Sequence, residues 1–241
     1  VTAVRRWVVA GLLLGCVGGL GTKGHSAAAE ADLDQLRGTA KVQALIEKVV
    51  ERQRSVTSLR ARFTQLKKSS LLLGPVQSVG EFSYLAPDRV RWDYQAPDEM
   101  VVLFADDTVT TFHPRQHHAE RVKISRRHQR FVGVLAGTQP LDELQAQFRI
   151  TLADPGGSAP FRFTLDPIHR TLAKRLRSVV LDIDRELLLP ISVEYTEPDG
   201  DVTRFEFSAL ELNPPIDDGR FNLELGEDVR VEWIDASAGE S

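Results

Sequence analysis

From Ser58 onward the hydrophobic period of the chain becomes two, and it returns in short runs as far as Leu212. In SLRARFTQL, Leu59, Ala61, Phe63 and Gln65 face one way, and Arg60, Arg62, Thr64 and Leu66 face the other. Such alternation marks strands with one face buried and one face wet. Further strand-like runs lie near 76–85, 89–95, 99–105, 108–112, 118–125, 148–153, 161–166, 176–184, 189–197 and 202–212. Asp106-Asp107 and Pro114-Arg115 are natural turns between them. In Thr196-Glu-Pro-Asp-Gly200, Pro presets one dihedral and Gly supplies a positive one. Short neighbouring strands joined by such turns pair antiparallel. The expected fold is mainly β (α+β): an incomplete antiparallel β-barrel or strongly curved sheet of about ten strands with a helical lid, because such a sheet buries one face.

Two segments carry a helical period instead. Residues 32–54 read as mostly helix, with Asp32 and Gln35 as a capping box. Val42, Leu45, Ile46, Val49 and Val50 form its apolar stripe. Gly38-Thr39 interrupts the pattern and places the main helix start near residue 40. The run RRHQRFVGVLAGTQPLDELQAQ then breaks the strand meander. Phe131, Val132 and Leu135 share helical spacing. After Gly137-Thr138, Pro140 stands near a second helix start, followed by Leu141 and Leu144. These two short helices are the material for the lid. The chain shows no internal repeat.

The first 29 residues differ from the rest. VTAVRR, WVVAGLLLGCVGGLG and TKGHSAAA contain no Asp or Glu and form the basic, apolar and small-residue parts of an export signal. The apolar run is too short and too rich in Gly for a comfortable membrane span. The expected organisation is therefore a signal at 1–29 and a single domain at 30–241, working in the periplasm. Two processing sites compete. Ala27-Ala28-Ala29 leaves a soluble chain beginning at Glu30. Leu13-Leu14-Gly15-Cys16 resembles a lipobox, which would make Cys16 a lipidated terminus. Leu14 is bulky for its place in such a box, which favours the soluble form.

Processing after residue 29 removes Arg5, Arg6 and Lys23, leaving 27 of the 30 basic residues against 34 acidic, net −7. An acidic chain without a basic stripe suits no nucleic-acid role. The only cysteine lies in the leader, so the domain depends on packing for its stability. His113, His117 and His118 cluster in FHPRQHH, but Pro114 and the turn around it favour a solvated loop over a metal site. Asp106-Asp107 and Asp217-Asp218 read as turns. The motifs of hydrolases, nucleotidases and zinc proteases do not occur, so neither enzymatic activity nor a cofactor is expected. In ERVKISRRHQR, Arg121, Lys123, Arg126 and Arg127 form either a solvated strand end or a docking patch for an acidic partner or anionic lipid.

The densest aromatic stretch is GEFSYLAPDRVRWDYQAPDE, from Gly80 to Glu99. Val90, Trp92 and Tyr94 share one face; Arg89, Arg91 and Asp93 share the other. Phe82 and Tyr84 stand on the preceding strand. On the following one, either Val101 and Leu103 or Met100 and Phe104 face the same side. Alternation alone does not distinguish a filled barrel core from a lined cavity.

SLRARFTQ, the Gly80 block, VVLFADDTVTTFHPRQHHAERV and LLLPISVEYTEPDGDVTRFEFSALELNPPIDDGRFNLELGEDVRV together resemble the LolA family over about residues 40–233. These are periplasmic carriers of outer-membrane lipoproteins. The resemblance implies a half-open barrel, a helical lid and an apolar cavity that shelters acyl chains, with no cofactor. It implies acylated lipoproteins as cargo, an inner-membrane ABC transporter as donor, an outer-membrane acceptor and a monomeric carrier. On this reading Phe82, Tyr84, Val90, Trp92, Tyr94, Met100, Leu103 and Phe104 line or support the cavity, and Phe131, Val132, Leu135, Leu141 and Leu144 belong to the lid. Relatives carry an arginine before the proline of the central block, where it ties lid to barrel. Here that position is Ala86: either the tie is absent, or Arg89 or Arg91, on the face opposite Trp92, replaces it.

Two other roles fit the same fold: an envelope sensor or regulator that detects stray lipid, and a lipidated outer-membrane acceptor. The acceptor requires lipidation of Cys16. Mass spectrometry of the mature N-terminus should find a free Glu30; a diacylglyceryl Cys16 would instead identify an anchored protein.

Overall fold

The computed structural model describes residue 33 and residues 35–123 and 141–234. The leader, Asp32, the first expected lid helix with Phe131, Val132 and Leu135, and the basic residues Arg126 and Arg127 lie outside the described residues. One twelve-stranded sheet dominates the rest. After helix α1 (Gly38–Arg54) come β1 (Ser58–Lys68), β2 (Val76–Leu85), β3 (Arg89–Ala96), β4 (Met100–Ala105), β5 (Thr108–His113) and β6 (His118–Lys123). Short helix α2 (Leu141–Leu144) leads into β7 (Phe148–Ala153) and β8 (Phe161–Pro167). After α3 (Arg170–Ala173) follow β9 (Ser178–Ile183), β10 (Pro190–Thr196), β11 (Val202–Leu212) and β12 (Arg230–Ile234).

The strand order is β12-β6-β5-β4-β3-β2-β1-β11-β10-β9-β8-β7. The sheet does not close, and it matches the expected curved, mainly β architecture. Eleven strands pair antiparallel with their neighbours, close to the runs read from alternation. β12 is the exception: it pairs parallel with β6.

Register carries the apolar residues across one face in rows. Val122, Val109, Phe104, Val90, Tyr84 and Leu59 stand opposite one another in turn. Beyond β11 the same face continues through Phe205, Val193, Leu181 and Phe163. Two clusters form on it. In the first, Leu45, Ile46, Val49 and Val50 of α1 pack on Phe163, Leu165, Val179, Leu181 and Val193, with Leu141 and Leu144 alongside. The second gathers Phe63, Phe82, Trp92, Phe104 and Phe205. Tyr195 and Phe207 pack against both clusters.

Helix α1 begins at Gly38, where φ is +58°, with Arg37 extended and no side-chain cap. The capping box is therefore not what starts this helix. Its stripe is as expected, since Leu45 and Val49 are fully buried. Lys41 pairs with Asp154 at 2.5 Å, and Arg185 binds the same carboxylate, fastening α1 to the loop after β7. These contacts hold the Asp154 pKa down at about 2, the Lys41 hydrogen bond being the largest cause.

The outer face is also partly covered. After β11 the chain crosses β3 and β4 through a 3-10 turn, Asp218–Phe221. Arg220 donates to Ser83 Oγ at 2.9 Å and to Asp93 Oδ2 at 3.0 Å. Arg91 donates to the Arg220 carbonyl at 2.8 Å. The guanidinium of Arg89 pairs with Asp218 and lies over the Phe221 ring. This strap carries the chain to the β6 edge, where β12 pairs. The three histidines are not all in a loop. His113 ends β5, His117 occupies a left-handed turn, and His118 is buried in β6.

Gly80 is required by a close approach. A Cβ there would lie 2.1 Å from the Asp93 carbonyl oxygen and 2.8 Å from the Phe63 ring. Gly80→Ala should lower stability by about 3 kcal/mol, the upper end for overpacking, as read from urea unfolding midpoints. The Asp154 carboxylate has a folded pKa below its unfolded one, so its stabilisation is complete above the ordinary carboxylate pKa. It is lost as pH falls toward about 2. Asp154→Asn should therefore melt below wild type at neutral pH, and the gap should vanish near the folded-state pKa.

Candidate functional site: an apolar groove under the end of α1

The centre of the second cluster is filled. The Phe63 ring meets Trp92 at 4.8 Å and Tyr94 at 4.9 Å, both nearly edge to face. Phe82 approaches Trp92 at 4.7 Å, and Phe205 approaches it at 4.9 Å. Such pairs each add about 0.5–1.5 kcal/mol beyond area burial. Burial, then the neighbouring Tyr195, drives the Tyr94 hydroxyl pKa far above its usual value. Burial likewise pushes the Tyr195 hydroxyl up to about 12, against an opposing hydrogen bond with Thr203. Trp92 is packed into the protein and does not line an opening.

The opening lies beside this cluster. A groove runs between the C-terminal end of α1 and the sheet, where β1, β2 and β11 adjoin the start of β10. Ala61, Phe82 and Phe207 form its floor; Leu59, Tyr84 and Leu210 form one wall. Gln53, Val56, Leu189 and Pro190 close the other side. Of these ten side chains only the Gln53 amide and the Tyr84 hydroxyl are polar. Gln53 accepts from the Leu141 backbone N–H at 3.2 Å, and the Tyr84 hydroxyl donates to the Pro87 carbonyl at 3.4 Å. Burial, with the Asp88 charge second, raises the Tyr84 pKa. The free volume is about 40 Å³. By that measure one water needs roughly 10–15 Å³, so the groove as it stands has room for a few waters.

Of the sequence-derived set, Phe82 and Tyr84 line the groove. Val90, Trp92, Tyr94 and Phe104 sit in or against the aromatic cluster behind it. Met100 stands opposite Tyr94 on the same face. Leu103 does not join them: it pairs with Arg91 and Thr110 on the outer face, where the strap crosses β4. Leu141 and Leu144 are fully buried beside α1. Leu59 and Ala61 carry the right periodicity signal, and Phe205 and Phe207 repeat it in β11. Val56, Leu189 and Leu210 have no such signal, because only the fold brings three element ends together.

The link from α1 to β1, at the end of the groove, is held by the Asn-Pro-Pro segment after β11. Asn213 has φ +53°, and its Oδ1 accepts from the Thr57 and Ser58 N–H groups at 2.8 and 3.3 Å. Its Nδ2 donates to the Ser55 carbonyl. This one side chain thus fixes the link from α1 to β1. Ala86 contributes a backbone bond to the Thr57 carbonyl at 2.8 Å. Arg89 and Arg91 are both engaged with the outer strap, on the face away from α1. Among the described residues, neither is bonded to α1 or α2.

Arg121 and Lys123 stand on the outer face of β6, and the Arg121 guanidinium lies 5.9 Å from the Trp233 ring. Among the described residues, no group of three His, Cys, Asp or Glu is placed to hold a metal ion. No described helix is long and apolar enough to cross a membrane.

The family described as Outer membrane lipoprotein carrier protein LolA matches residues 54–224. The matched stretch takes in the groove's floor and its β-strand walls, and stops short of β12. An outer-membrane lipoprotein carrier protein of Alkalilimnicola ehrlichii is 29% identical over 189 residues, covering 76% of this chain and 80% of the relative. Among solved structures, MucB superposes with a TM-score of 0.50 at 16% identity, over 81% of this chain and 66% of MucB. An uncharacterized conserved protein of Thermus thermophilus gives 0.51 at 11% identity, over 80% of this chain and 99% of that one. These two likenesses concern the fold. The family match spans most of the chain, and the protein belongs to the LolA family of outer-membrane lipoprotein carrier proteins.

Proposed function

We propose that the protein is a periplasmic carrier that shelters the acyl chains of lipoproteins in the groove under α1 and moves them from the inner to the outer membrane. One observation carries this reading: a groove whose ten lining side chains carry only two polar groups, Gln53 and Tyr84, sits between a packed aromatic cluster and a helix end. A buried methylene contributes about 0.8 kcal/mol, so an acyl chain of ordinary length gains on the order of 10 kcal/mol in a dry site. Holding that much apolar surface reversibly calls for a site that opens for cargo and closes without it. The filled cluster keeps the sheet intact while the groove is empty. The end of α1, hinged at Asn213, is the part that gives way.

Family membership supports the pairing with an inner-membrane ABC transporter as donor and an outer-membrane acceptor. The role is binding and release, with no chemical step and no cofactor. A sensor would use the same groove without turnover, so release of cargo into solution separates the two.

Supplied with inner-membrane vesicles bearing the donor transporter and an acylated lipoprotein, the protein should bring the lipoprotein into the soluble fraction. Failure to do so would contradict the carrier role. Leu210→Glu places a charge at the half-buried wall and should weaken binding of a fluorescent fatty acid at least about tenfold, with little change in melting temperature.

A further inference from the structure

The tip joining β1 to β2 exposes more apolar surface than a turn requires. Leu71 is 73% exposed, Leu73 113%, and Val76 at the start of β2 40%. No charged residue occurs between Lys68 and Glu81. Turns that only reverse the chain are served by polar residues and glycine. Here Leu71-Leu72-Leu73 precedes Gly74-Pro75, and only Leu72 tucks partly inward.

The base of the tip is braced. Leu71 N–H donates to Ser69 Oγ at 3.2 Å, and Ser70 N–H donates to Asp201 Oδ1 at 3.3 Å. Asp201 is 3% exposed, so the brace comes from inside the protein. Lys67 and Lys68 end β1 directly below the leucines, opposite Thr203 and Val202. The other charges at this end are acidic: Glu197, half-buried and facing the Lys67 charge, the exposed Asp199 and the buried Asp201.

We propose that this tip docks on a lipid bilayer, with Leu71 and Leu73 inserted at the hydrocarbon edge and Lys67 and Lys68 level with the lipid phosphates. Two leucines projecting from one turn are far short of the roughly 800 Å² per partner of a standard protein interface. They suit shallow insertion, where each apolar side chain adds its own partition free energy and the lysine stems bury while their ammonium groups stay with the headgroups. The anionic leaflet supplies the charge that the exposed Lys68 complements, with Lys67 beside it shared with Glu197.

The tip is remote from the groove. Leu59 at the groove and Lys68 at the tip are nine positions apart on β1, roughly 30 Å at about 3.3 Å per residue. Docking and cargo binding can therefore be separated by mutation, and the proposal stands independently of the carrier role.

The test is flotation of the full protein with vesicles of phosphatidylethanolamine and phosphatidylglycerol. The wild type should float with the vesicles. The double variant Leu71→Ser, Leu73→Ser should lose about tenfold in partitioning per leucine. Its melting temperature and fatty-acid binding should not change. Leu73→Trp should show blue-shifted emission, quenched by lipids brominated near the headgroup. A wild type that stays out of the vesicle fraction, or a double variant that floats equally well, would overturn the proposal. So would a concentration-dependent dimer that the double variant abolishes, with no vesicle binding, since that would identify a second copy as the occupant.

Discussion

A sheet that does not close has one apolar face to cover, and the rest of this molecule is arranged around that need. Among the described residues, the inner face is covered in two ways. Over β7 to β10 the cover is α1, whose buried stripe meets Phe163, Val179 and Val193. Over β11 and β1 to β4 the sheet largely covers itself, as Phe63 and Phe82 meet Trp92 edge to face and Phe205 meets it at a tilt. The groove is the seam between these solutions. It persists because α1 ends at Arg54, before it reaches the aromatic cluster, and the link to β1 turns away under the hold of Asn213.

A filled aromatic cluster beside a small groove differs from a ready-made hollow. An open cavity large enough for an acyl chain would expose its lining to water whenever cargo is absent. Packing the rings together removes that cost and leaves an opening at Leu59, Tyr84 and Leu210. On the proposed reading, widening the groove would trade contacts within the protein for contacts with the guest, which would keep binding reversible. Ala86 stands before the proline of the central block, and the neighbouring guanidinium groups of Arg89 and Arg91 serve the outer strap. Among the described residues, backbone and amide hydrogen bonds from Ala86 and Asn213 tie the link after α1 to the strand ends.

Most of the strand plan is legible in the sequence because alternation in β1, β2, β3, β10 and β11 reflects one buried and one wet face. Alternation fails where both faces are covered. Met100–Ala105 is apolar almost throughout, so period two cannot assign Leu103, which the strap covers from outside. β12 is invisible for the opposite reason: Arg230 to Trp233 are all exposed, and their pairing with β6 depends on a crossing of the outer face that no local pattern encodes. Pro114 signals a turn and so points His118 into a loop, yet the turn ends one residue earlier. The groove is half legible. Phe82 and Tyr84 are marked by their strand, whereas Gln53, Val56, Leu189 and Leu210 meet only through long-range register. Trp92 stands out as the largest ring in the block, and size makes it the hub of the packing instead of a wall of the site.

The central claim is that cargo enters at the seam between the two covers. The most direct measurement is intermolecular NOE contact between a protonated acyl chain and methyl groups of the otherwise deuterated protein. Contacts should appear at Leu59, Leu189 and Leu210, with the methyls of Leu71 and Leu73 silent. An acyl chain whose contacts fall on Val109 and Val122, or on no methyl of the groove, would contradict the account.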